Sequence, residues 1–153
     1  MKYAIIFDID GTTANTDHRA HYMESIPRNY DAFYKAMDKD TPIIPMVNFI
    51  QATKALSDAS HDKIQIIFVT GRPEEYRETT TNWLSTHLKT TDFKLYMRET
   101  KNHETDISLK TRIFKQLQDN YRILFAIDDR TRLVNSINAK FPFPCIQYQK
   151  HDF

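Results

Sequence analysis

The stretch Ile5-Ile6-Phe7-Asp8-Ile9-Asp10-Gly11-Thr12 decides how the rest of the chain is read. A short apolar run ends abruptly in two carboxylates one residue apart, followed by a glycine and a hydroxyl. In an open parallel sheet, ligands bind beyond the carboxyl ends of the strands. A strand that ends in Asp-x-Asp-Gly-Thr is therefore a candidate site. The chain has two glycines, Gly11 here and Gly71 after the next strongly apolar strand. Each is expected where the backbone needs freedom or passes close to a ligand.

Outward from this stretch, strands and helices alternate. Residues 3–7 predict a strand that is apolar on both faces, as a strand covered by helices on both sides should be. Residues 64–69 (IQIIFV), 93–97, 122–127 (RILFAI) and about 144–148 predict further strands. A first long helix starts near Pro45, with Met46, Val47, Phe49, Ile50 and Leu56 inward. A second is opened by Pro73 and carries Tyr76, Thr80, Trp83, Leu84 and His87 at helical spacing. A third covers residues 106–118 with Asp106 as N-cap and Leu109, Ile113 and Leu117 on one face. A fourth carries Leu133, Val134 and Ile137. The alternation predicts an α/β fold, a three-layer sandwich around a Rossmann-like parallel sheet, in a single domain of residues 1–153.

Residues from 13 to about 45 break the pattern. They are polar and aromatic-rich, with one short helix expected over residues 29–37. This insertion after the first strand, about 14–44, predicts a small cap over an open cleft. Its Tyr30, Phe33 and Tyr34, and Trp83 beyond it, read as packing residues.

Composition bounds the function. The chain has 153 residues, 41% of them hydrophobic and 27% charged, values ordinary for a soluble globular protein. A net charge of +1 argues against a sequence-wide electrostatic grip on nucleic acid or anionic lipid. The single cysteine, Cys145, excludes an internal disulfide framework and fits a cytoplasmic location. No segment has membrane-spanning length, and the apolar run before Asp8 is too short for a signal peptide. The six histidines lack metal-ligand spacing and read as surface or loop residues.

Three strands end in polar clusters: Asp8-x-Asp10, Thr70-Gly71-Arg72 and Asp128-Asp129. Parallel strands place all three on one edge of the sheet. Carboxylates brought so close repel one another and call for a cation, and a hard oxygen donor set suits Mg²⁺. Thr70, the backbone after it, Arg72 and Lys110 supply donors and positive charge suited to phosphate. Metal, carboxylates and an anion cradle together indicate phosphoryl transfer. One carboxylate, Asp8 at the strand end, can attack phosphorus. The second, Asp10 in the turn, can give and take the proton.

FDIDGT, VTGR, the lysine of SLKTR and AIDDR, in this order, resemble the haloacid-dehalogenase-like (HAD) phosphatase superfamily. More narrowly, the chain is similar to the phosphatase domain of phage-type polynucleotide kinase–phosphatases. Arg19, nine residues after Asp10, belongs to that narrower resemblance. So do Ile44-Pro45-Met46, Arg98 with Asp106-x-x-x-Lys110, Ala126 to Thr131, and the terminal Asp152-Phe153. The resemblance implies Asp8 as nucleophile and Asp10 as general acid–base. It implies Mg²⁺ held by the Asp8 carboxylate, the Asp10 main-chain carbonyl and Asp128, with Asp129 holding metal-bound water. Thr70 and Lys110 would bind the transferring phosphate, and Arg19, Arg72 and Asp106 would bind it or support the site. The implied substrate is a phosphorylated nucleic-acid end, the 3′-phosphate of a polynucleotide in end repair, and the location the host cytoplasm if the gene is phage-borne. The two glycines lie too far apart for a Walker loop, so no kinase is expected in this chain. The alternatives are a 5′-nucleotidase or other small-molecule phosphatase, which the near-zero net charge favours, and a binding protein on a dead phosphatase fold.

Overall fold

The computed structural model describes residues 1–152; Phe153, the last residue of the resemblance, lies outside the described residues. The strand at the head of the chain, β1 (Lys2–Phe7), lies in the middle of the sheet. A chain excursion follows: β2 (Ala14–Asn15), α1 (His21–Glu24), α2 (Tyr30–Lys35) and β3 (Thr41–Pro42). The alternating part then runs α3 (Ile44–Asp58), β4 (Ile64–Pro73), α4 (Arg77–Leu88), β5 (Lys94–Arg98), α5 (Asp106–Gln118), β6 (Tyr121–Arg130), α6 (Thr131–Lys140) and β7 (Cys145–His151). The main sheet has the order β5-β4-β1-β6-β7, and every pairing in it is parallel.

Side chains of β1 alternate between two cores, as the two-residue period of a strand requires. Ala4 and Ile6 join Leu109, Ile113, Leu133 and Ile137, so α5 and α6 cover one face. Ile5 and Phe7 join Val47, Ile50, Trp83 and Leu84, so α3 and α4 cover the other. This is the expected three-layer sandwich. Its continuous apolar strands are the direct consequence of having helices on both sides.

Several local expectations are corrected. In α3 the buried stripe is Met46, Val47, Ile50, Thr53 and Ser57. Phe49 is 37% exposed but keeps an edge-on contact with the buried Phe7 ring, 6.2 Å between centres, whereas Leu56 faces solvent at 72% exposure. Both sit about 100° around the helix from that stripe. Pro73 does not open α4. It ends β4, opposite Arg98 of β5 beyond an irregularity in the ladder, and a 3₁₀ turn, Glu74–Tyr76, intervenes. Helix α5 has the predicted bounds, but its N-cap is Thr105, whose hydroxyl accepts the Ser108 N–H at 3.2 Å. Asp106 is thereby left for a different task.

The excursion between β1 and α3 holds more structure than its one expected helix. Its ends are clipped together by β2 and β3, an antiparallel pair that sets Ala14 against Pro42 and Asn15 against Thr41. Two 3₁₀ turns, Asp17–Arg19 and Met37–Lys39, flank its two short helices. The Asn29 side chain caps α2 by accepting from the Ala32 N–H at 3.1 Å.

Candidate active site

The ladders that pair Phe7 with Phe68 on one side and Ile127 on the other bring the ends of β1, β4 and β6 to one edge. Asp8 is the first residue beyond β1, and its N–H donates to the Ile127 carbonyl at 3.0 Å. Asp128 and Asp129 lie at the carboxyl end of β6, just before its last residue. Carboxylate oxygens of Asp8, Asp128 and Asp129, all buried, come within 4.8 Å of one another. The Lys110 ammonium, reaching over from α5, donates to Asp8 Oδ1 and Asp128 Oδ2, each at 2.7 Å. The other oxygen of Asp128 is fixed by the N–H groups of Asp129 and Arg130, at 2.8 and 3.1 Å. Thr12 Oγ1 lies 3.3 Å from Asp8 Oδ2 and 3.4 Å from Asp129 Oδ1.

The Lys110 ammonium therefore bonds two of the three clustered carboxylates, and the third, Asp129, has His151 Nδ1 at 2.6 Å. Burial, then the Asp128 charge, pushes the Asp8 carboxyl well above the usual range. Asp129 is pushed up to about 6, again chiefly by burial, with Asp128 adding repulsion. Burial would lower the Lys110 ammonium, but Asp128 and Asp8 overcome it and raise it. Such a deficit of positive charge in an all-oxygen donor set fits a divalent cation.

Gly11 makes this approach possible. Its φ is +84°, and a Cβ there would run into the Asp129 carboxylate, with Cγ at 2.8 Å. Gly71 plays the matching part near the end of β4. A Cβ on it would meet Asp106 Oδ1 at 2.7 Å. Asp106 in turn binds Arg98 Nη2 and Arg130 Nη1, each at 2.6 Å, and Arg98 Nε donates to the Gly71 carbonyl at 3.1 Å. Asp106 is thus an ion-pair hub instead of a helix cap.

The Asp10 carboxylate turns away from this cluster. It accepts from Arg72 Nη2 and Nε at 2.6 and 3.0 Å and from Arg19 Nη2 at 2.9 Å. Burial would raise its carboxyl, but Arg72 and Arg19 prevail and hold it at about 2. Both guanidinium groups are buried, and a second carboxylate holds them from behind. Asp40 Oδ1 accepts from Arg19 Nε at 2.7 Å, and its Oδ2 from Arg19 Nη2 at 2.8 Å and Arg72 Nη2 at 3.0 Å. Thr70 Oγ1 accepts the Arg72 N–H at 3.2 Å and so pins the end of β4.

The structure places Asp8, Asp10, Lys110, Asp128, Asp129, Arg19, Arg72 and Thr70 at one edge, with Gly71 and Asp106 beside them. Three residues escaped the sequence reading. Asp40 lies in the polar run before Pro42, and its only signal was that two buried arginines need a second carboxylate. His151, read as a surface or loop histidine, stands in β7 with Nδ1 at 2.6 Å from Asp129 Oδ2. His18 likewise sits 2.7 Å from Asp40 Oδ1.

A parallel α/β sheet whose switch edge carries paired aspartates, a buried lysine and an arginine pair defines a phosphoric monoester hydrolase of the HAD class. The match to the family described as the polynucleotide kinase PNKP phosphatase domain extends over residues 2–153, and the chain belongs to that family. A protein of Autographa californica nuclear polyhedrosis virus, described as a bifunctional polynucleotide kinase/RNA ligase, is 26% identical over 132 residues. That match covers 86% of this chain and 17% of the viral protein. Two solved structures of the Pnkp1/Rnl/Hen1 complex, one described as an RNA repair complex, share the fold. Their TM-scores are 0.78 and 0.77 at 24% and 25% identity, covering all of this chain and 44% and 48% of theirs. The chain thus spans less than half the length of these relatives.

Proposed function

We propose that the protein is a Mg²⁺-dependent polynucleotide 3′-phosphatase in nucleic-acid end repair, working through an aspartyl-phosphate on Asp8. One observation carries the reading: the Asp8 carboxylate lies at the sheet edge, bonded to Lys110 and crowded by Asp128 and Asp129. An Asp8 oxygen attacks phosphorus and the ester P–O bond breaks. Asp10 protonates the departing alkoxide. Asp10 then takes a proton from water as that water attacks the phosphoryl group, and Asp8 is released. Arg72 and Arg19 keep Asp10 ionised at rest, ready to act as base. A phosphate that competes for these arginines weakens their hold and lets Asp10 carry the proton the alkoxide needs.

The carboxylates of Asp8, Asp128 and Asp129, with the main-chain carbonyl of Asp10, are the groups that would hold Mg²⁺. Bound there, the ion neutralises charge on the phosphoryl oxygens. Lys110 and Thr70 would take the transferring phosphate, with Gly71, Arg72, Arg19 and Asp106 shaping its seat. Residues 14–44 form the small cap in this reading, and the whole of residues 1–153 one domain. No helix among the described residues is long and apolar enough to cross a membrane. The net charge of +1 keeps a second reading in view, a nucleotidase or other small-molecule phosphatase. Phosphate release from 3′-phosphorylated and 5′-phosphorylated oligonucleotides and from mononucleotides, with Mg²⁺ and with chelator, separates them. Preference for mononucleotides overturns the end-repair reading, and no hydrolysis of any ester points to a binding protein.

A further inference from the structure

Of the four aromatic residues read as packing groups, three pack as expected. Trp83 is buried, and its indole N–H donates to the Asp40 carbonyl at 2.8 Å. Phe33 lies under the Arg19 guanidinium, 4.2 Å from the ring centre. Tyr34 packs as well, 5.3 Å from Phe33 between ring centres, but in a row that reaches the surface. Tyr30 is 50% exposed and stacks on Tyr34, with ring centres 6.4 Å apart and planes 25° from parallel. Tyr34 lies 5.4 Å from Tyr76, in the turn that follows β4. Three tyrosines, two from the excursion and one from the core fold, thus make a row that is open at its Tyr30 end.

The middle ring of the row adjoins a residue that touches the site. Tyr34 follows Phe33, whose carbonyl accepts from Arg19 Nη1 at 3.3 Å, and Arg19 holds Asp10. The Tyr34 hydroxyl is pushed up to about 12, by burial and then by the charges of Asp10 and Asp106. Among the described residues that hydroxyl makes no hydrogen bond. Rings needed only to pack the excursion would be covered; this row ends in Tyr30, half of whose surface is open to solvent.

We propose that Tyr30, Tyr34 and Tyr76 form a stacking platform for the nucleobase of the nucleotide whose phosphate enters the site. The proposal rests on the reading of the site as a polynucleotide phosphatase and specifies how the nucleotide is recognised. Stacking is tolerant of sequence because every base has a π-face. It also supplies affinity that a net charge of +1 does not provide through counterion release. A phosphorylated sugar without a base would lose this contact while keeping every contact to the phosphate.

The test compares two oligonucleotides that carry a 3′-phosphate, one with a normal terminal nucleotide and one with an abasic terminal sugar. Stacking of one base predicts a kcat/KM ratio of about tenfold or more in favour of the base. The ratio should fall in Tyr30→Ala and in Tyr76→Ala, and approach one in the Tyr30→Ala/Tyr34→Ala pair. Tyr34→Phe, which keeps the ring, should retain it. Tyr30 is half-exposed, so its truncation tests the contact without removing core. Equal rates on both substrates in the unmodified protein, or a preference that survives the double substitution, would overturn the platform. Should no ester be hydrolysed, the phosphatase reading falls while the platform is still tested by fluorescence anisotropy. The same pair of oligonucleotides with free 3′-hydroxyls should then bind with the same preference for the terminal base, and equal binding would overturn the proposal.

Discussion

Replacing Asp40 with alanine removes one of the two carboxylates that neutralise the Arg19 and Arg72 guanidinium groups, both almost wholly buried. Arg19 would lose its bonds at 2.7 and 2.8 Å, and Arg72 its bond at 3.0 Å. Asp10 alone would then face two buried cations. Leaving a buried charge uncompensated costs about 3–5 kcal/mol. A chain of this size shifts its melting temperature by roughly 2–4 °C per kcal/mol, so the expected drop is about 6–20 °C. Trp83 is the single tryptophan and donates to the Asp40 carbonyl, so its emission reports the local change. Thermal unfolding followed by Trp83 fluorescence, beside phosphate release, is the assay. Asp40→Asn keeps the shape and loses the charge, and it should fall between the parent and Asp40→Ala in stability. Should Asp40→Ala melt at the parent temperature, the two arginines would not depend on Asp40 for charge balance and the reasoning would be refuted.

The metal-free protein should lose stability as pH rises from about 4 to about 6. Asp129 keeps its proton up to about 6 in the folded state against 3.8 as its ordinary value, so its contribution is complete below about 4 and is lost through 6, up to about 3 kcal/mol. Asp8, also raised, acts in the same sense, whereas Asp10 gives stability that is lost only as pH falls towards about 2. Denaturant titrations across this range should show the decline in chelator and its relief in Mg²⁺; a rise with pH in chelator would contradict it. Gly11→Ala forces a side chain onto a φ of +84° and against the Asp129 carboxylate, so about 1–3 kcal/mol of stability should go, together with most activity, and parent-like values of both would refute that reading. Lys110→Met leaves the carboxylates of Asp8, Asp128 and Asp129 without their ammonium; phosphate release should fall at least about a hundredfold. The stabilisation by Mg²⁺, read by calorimetry, should grow in this variant, and a smaller effect than in the parent would contradict the charge-deficit argument.

The strands, the three layers and the carboxylate cluster were legible because each is written locally. A continuous apolar run followed by an Asp pair needs no partner to be recognised, and parallel order then places the pairs on one edge. The misread positions depend on contacts distant in sequence. Whether Leu56 faces the core depends on where the stripe of α3 meets the sheet, and the spacing in the helix allows more than one choice. Asp106 reads as a cap until Arg98 and Arg130 claim its oxygens, and Thr105 caps in its place. Asp40 is surrounded by polar residues and looks exposed from its neighbours. Burial is imposed on it by Arg19 and Arg72, 21 and 32 positions away. His151 gives no local signal either, since its carboxylate partner stands on the adjacent strand.

Covalent capture of the phosphoryl group tests the account most directly. A 3′-phosphorylated oligonucleotide with radiolabelled phosphate is mixed with the protein and Mg²⁺, and the reaction is quenched in acid within the first turnover. The account predicts label on the protein, confined to the peptide that contains Asp8, and none on Asp8→Asn. Continued turnover of Asp8→Asn, or label on any other residue, would contradict it.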